Sequence, residues 1–151
     1  MATYTADAAQ SYVQPRQTEK GVVTMIANLT ANGNSVSTGD IYWMAKVPNG
    51  AMIIDLKAFG RSSGTGGIVF SVGLTSSASL FGAFTISATH QYSSLNAQAS
   101  ATQNLPYMVS LSDDAATQYI TLAMTVASGT VTNTASFGMM VQYVMRGAAG
   151  P

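Results

Sequence analysis

The chain has no cysteine, so no disulfide staples it and no thiolate can hold a metal. It carries one histidine, one tryptophan and four prolines in 151 residues. Charge is scarce too. Six basic and six acidic residues, 8% of the chain, leave a net charge of zero, where an average domain is about one quarter charged. These shortages exclude whole classes of function. There is no basic excess to bind nucleic acid through its phosphates. One His and six scattered carboxylates are a poor stock for catalysis or metal binding, so no enzyme and no cofactor is expected. No apolar run approaches the roughly 20 residues of a membrane helix. The longest, around Ser136–Met145, is interrupted by Gly138 and Gln142. The opening MATYTADAAQ has neither a basic nor an apolar signal region, so a soluble product made in a cytosol is expected.

What is present is alternation. In Gly39–Phe59, Ile41, Trp43, Ala45 and Val47 alternate with Tyr42, Met44 and Lys46, and Pro48-Asn49-Gly50 makes a turn. Met52, Ile54, Leu56 and Ala58 then alternate with Ile53, Asp55, Lys57 and Phe59. A period of two with β-branched and aromatic residues reads as strand. Trp43, on the first of these faces, is assigned to the core.

The same pattern recurs along the chain. Strands are expected over Val22–Ala31, Ile68–Thr75, Leu80–Ser87, Pro106–Ser112, Gln118–Ala127 and Ala135–Arg146. Ser76–Ser79 reads as a turn, and Gly60–Gly67 as a hairpin loop rather than a phosphate cradle, since no Lys-Ser/Thr follows. The polar stretch His90–Gln103 fits either one short helix around Ser94–Ala101 or a long loop. About eight strands with turn signals between them imply an all-β fold, an antiparallel β-sandwich or jelly roll. Residues 21–147 form this domain, 148–151 a short tail, and 1–20 an extended N-terminal arm. Stretched out, such an arm spans up to about 70 Å, enough to reach a neighbouring subunit.

Few residues carry chemistry. His90 has no acidic neighbour in sequence, and Asp113-Asp114 reads as a solvated turn. Asn28-Leu29-Thr30 matches a glycosylation sequon but falls within a strand. The nine methionines read as adaptable packing.

With the strands placed, Gly39-Asp40, Ala45-Lys46-Val47-Pro48-Asn49-Gly50-Ala51 and Ile54-Asp55 resemble a pattern in small virion proteins of tailed bacteriophages. Val72-Gly73-Leu74-Thr75 resembles a short strand end of that family. Ile120–Val126 followed by Gly138–Val144, with the late Tyr143, resembles its closing hairpin. The resemblance spans about Val22–Arg146. It implies a head decoration (cement) protein, a sandwich on the capsid exterior that clamps neighbouring major capsid proteins and associates with itself as a homodimer or homotrimer. It carries over no catalytic residues.

The interface residues are read from the chain itself. Tyr and Arg dominate interface anchors, which singles out Tyr4, Tyr12 and Arg16 on the arm and Tyr92 near the polar segment. A scarcely charged surface favours assembly. The alternative is a carbohydrate- or receptor-binding module of a tail, fibre or surface appendage, with Tyr92 and Tyr107 as stacking platforms.

Overall fold

The computed structural model describes residues 1–5, 21–30, 35–61, 67–86, 91–95, 101–109, 119–129 and 135–145. Tyr12, Arg16, His90 and Asp113-Asp114 lie outside them, as do residues 96–100 of the segment that fits helix or loop. The described elements are all strands: β1 (Thr3–Thr5), β2 (Val22–Thr30), β3 (Ile41–Pro48), β4 (Ala51–Arg61), β5 (Ile68–Leu74), β6 (Ser77–Ile86), β7 (Gln91–Ser94), β8 (Tyr107–Met108), β9 (Tyr119–Ser128) and β10 (Ser136–Met145). They form two sheets, β1-β3-β9-β5-β6 and β2-β10-β4-β7, with β8 also paired to β4. Every pairing is antiparallel except β1 with β3. The all-β sandwich is as the alternation predicts.

The connections correct several local expectations. β4 and β5 lie in different sheets, so the Gly-rich loop between them carries the chain across the sandwich and is no hairpin. β9 and β10 are likewise split between sheets, so the expected closing hairpin is a crossing. Among the described strands only β5 and β6 are both consecutive and paired, and β6 begins at Ser77, inside the expected turn.

Trp43 is not in the core; it is 38% exposed. A β-bulge causes the change. The β3–β9 register shifts between Trp43 and Ala45, and a bulge adds one residue and reverses the phase of the alternation. Tyr42 and Met44 therefore point inward before the shift, and Ala45 and Val47 after it. The same happens in β4, where a shift opposite Gln142/Tyr143 separates inward Ile53 from inward Leu56. Met52 and Ile54 consequently sit on the outer, half-buried side.

Between the sheets lie Phe70, Phe81, Phe137, Met44, Leu56, Leu122 and Met139, all fully buried. Each such side chain contributes about 2–3 kcal/mol by leaving water. Tyr42 packs edge-on against Phe137 at 4.7 Å and Phe70 at 6.2 Å, which ties the first sheet to β10 of the second.

Candidate interaction surface

The outer face of the β2-β10-β4-β7 sheet is built from rungs fixed by strand register. One rung runs Ile26–Met140–Lys57–Ser94. The next runs Asn28–Gly138–Phe59–Tyr92. Beyond the bulge a third runs Val22–Val144–Met52–Met108. Outward residues alternate with the core because the strand period is two. Ile26 is 58% exposed, Val22 54% and Tyr92 60%. Apolar side chains thus recur on an exposed face where polar ones are the usual choice.

Two features fix this face. Gly138 leaves room for the Phe59 ring to lie over the backbone: a Cβ there would sit 2.5 Å from two of its ring atoms. Gln142 donates from Nε2 to Thr24 Oγ1 at 3.0 Å, pinning β10 to β2.

Its charge lies on β4: Arg61 is exposed at the strand's end, and Lys57 and Asp55 are paired further along. Lys57 Nζ lies 3.0 Å from Asp55 Oδ2 and 5.8 Å from the centroid of the Tyr92 ring. Hydrogen bonding to Asp55, and then to Tyr92, raises the Lys57 ammonium above its ordinary pKa. Asp55 Oδ1 is buried and has no hydrogen-bond partner among the described residues. The face therefore offers aromatic and aliphatic contact around a fixed ammonium, an arrangement suited to binding a protein surface.

Tyr4 lies elsewhere. It belongs to β1 in the other sheet and stacks on Tyr42 of its own chain. Tyr4 and Tyr92 are therefore not brought together. The segment around Tyr4 is held by Asp40, which is 6% exposed. Asp40 Oδ1 accepts from the Ala2 amide and Oδ2 from the Ser37 amide, each at 3.0 Å. The Ile41 amide in turn donates to the Ala2 carbonyl at 2.8 Å. Tyr107 is half-buried and packs edge-on against Phe81 at 5.3 Å, so it is no free stacking platform. Among the described residues no group of three His, Cys, Asp or Glu gathers to hold a metal.

No protein-family model matches the chain, and no curated protein matches its sequence. Solved structures do match. A chain of the capsid of Ralstonia phage GP4 has a TM-score of 0.69 at 17% identity, over 93% of this chain and 96% of that one. The sandwich is one that phage capsids contain. A chain of the cyanophage Pam1 capsid asymmetric unit has a TM-score of 0.60 at 16% identity, over 92% of this chain and 96% of that one. At these identities the likeness is one of fold. Lys57, Ile26 and Phe59 escape sequence reasoning, because nothing local says which side of β2 and β4 stays uncovered. Asp40 enters it only as part of a Gly-Asp pattern, without its role in holding Ala2.

Proposed function

We propose that the protein is a non-enzymatic structural component of a phage particle that decorates the capsid exterior and bridges major capsid proteins. The observation that carries this reading is the near end-to-end match to the GP4 capsid chain. The strand order adds support. β2-β10-β4-β7 faces β3-β9-β5-β6, and all but one consecutive pair of these strands changes sheet, which fits a jelly roll.

In this reading the outer face with Ile26, Phe59, Lys57 and Tyr92 meets the shell. Tyr92 is the aromatic anchor, and Lys57 meets a carboxylate or carbonyl of the capsid protein. Tyr12 and Arg16 extend the contact along the arm. Many copies on one shell turn modest single contacts into stable attachment through avidity.

The test is binding of purified chain to assembled shells that lack it. Tyr92→Ala and Lys57→Glu should each weaken binding about tenfold or more, the loss expected of interface anchors. Trp43→Ala, on the other sheet, should bind as the parent does. If the first two variants bound unchanged, the outer face would not be the contact.

A further inference from the structure

We propose that the edge of β2 on which no described strand lies pairs with β2 of a second copy of this chain, antiparallel and centred on Ile26. β10 binds one side of β2, and among the described residues no strand lies on the other. An edge strand presents unpaired amides and carbonyls, and natural sheets usually blunt such edges with short length, charge, proline or a bulge.

The other edges of this sandwich follow that rule. β1 has three residues and β7 four. β6 is long, but its pairing with β5 shifts register, Gly82 adopts a positive φ of 109°, and the Gln103 amide donates to its Leu80 carbonyl at 2.8 Å. Among the described residues β2 has none of these protections. Its nine residues, VVTMIANLT, contain no charge and no proline. Its register against β10 runs unbroken from Thr30 to Val22, whereas the β10–β4, β3–β9, β5–β6 and β5–β9 pairings each contain a shift.

The strand is also complementary to itself. A two-fold axis at Ile26 sets Val23 against Leu29 and Met25 against Ala27 on the inward side. On the outward side it sets Val22 against Thr30, Thr24 against Asn28, and Ile26 against Ile26. No like charges meet, because the strand has none, and the net charge of zero adds no repulsion at a distance. Such an edge-to-edge pair closes on itself as a two-fold dimer. It joins the two outer faces into one surface. The proposal does not depend on the capsid reading: a dimer that ignores shells would leave it standing, and a shell-binding monomer would overturn it alone.

The chain has no cysteine, so Ile26→Cys carries one thiol. Opposed residues of an antiparallel pair lie about 4.5–5.5 Å apart at Cα, within disulfide reach. Two copies of Val22 in that register lie about 27 Å apart. Mild oxidation of the full-length chain should therefore crosslink Ile26→Cys and leave Val22→Cys uncrosslinked. In sedimentation, Ile26→Lys and Ile26→Glu alone should each weaken self-association about tenfold or more, and mixing them should restore a dimer. Ile26 is exposed, so these variants retain the fold, and the rescue on mixing would not arise from misfolding. Equal crosslinking at both positions, a trimer, a dimer indifferent to Ile26→Lys, or a parent chain that sediments only as a monomer would each overturn the proposal.

Discussion

Tyr4 stacks on Tyr42 with ring centroids 4.9 Å apart and planes within 12° of parallel. Tyr42 itself is buried against Phe137 and Phe70, so this stack fastens β1 to the aromatic centre of the sandwich. Asp40 fastens the same segment through the Ala2 amide. The first five residues thus belong to the fold of their own chain, and any reach to a neighbour starts beyond them.

The Asp40 anchor predicts a stability loss. Asp40→Ala leaves the Ala2 and Ser37 amides without their acceptor. Losing a buried acceptor costs about 1–3 kcal/mol per orphaned donor. The chain should melt several degrees lower, and the Ile41 amide, bonded to the Ala2 carbonyl, should exchange its hydrogen faster. An unchanged melting temperature with an equally protected Ile41 amide would contradict the role given to Asp40.

Alkaline behaviour follows from Tyr42. Burial first, then the Asp40 carboxylate and Tyr4, push its phenol well above the ordinary value of 10.0. The folded chain therefore keeps a proton that the unfolded chain releases. The stability linked to this group is complete below pH 10.0 and declines as pH rises from there toward the folded value. Tyr42→Phe should flatten the fall in stability above pH 10, measured by urea unfolding at a series of pH values. A variant whose alkaline limb matched that of the parent would show that Tyr42 is not the group responsible.

The two bulges explain where the sequence misleads. The strands over 119–128 and 136–145 follow their alternation closely, and Phe137, Met139, Val141 and Tyr143 share the buried face as their spacing says. Trp43 fails because one extra residue near it reverses the phase, and nothing in Ile41–Val47 marks the bulge. The assignment of strands to sheets is also invisible locally: a Pro-Asn-Gly turn serves a hairpin or a corner equally well, and here it makes a corner between β3 and β4. Of the interface residues read from the sequence, Tyr92 is exposed on the outer face, while Tyr4 is engaged with Tyr42.

Gly138 should tolerate no side chain. Gly138→Ala would press a methyl group against the Phe59 ring and the Ala27 carbonyl. Overpacking of this kind costs about 1–3 kcal/mol. Adding Phe59→Ala should recover only part of the loss, because the Ala27 carbonyl belongs to the neighbouring strand and cannot swing away. Full recovery in the double variant would place the whole conflict on the ring.

Lys57 and Asp55 should behave as a pair. Lys57→Ala removes the cation facing a carboxylate whose other oxygen is already buried without a partner among the described residues. The melting temperature should fall, and Asp55→Asn in the same chain should restore part of it by removing the unpaired charge. If the double variant were less stable than Lys57→Ala alone, Asp55 would be held by something other than Lys57.

The capsid reading is tested most directly by co-sedimenting the full-length chain with assembled shells that lack it and measuring its ratio to the major capsid protein. The account predicts saturation at a fixed ratio set by the shell's symmetry, with Tyr92→Ala left largely in the supernatant. A parent chain that stayed in the supernatant at every concentration would contradict it.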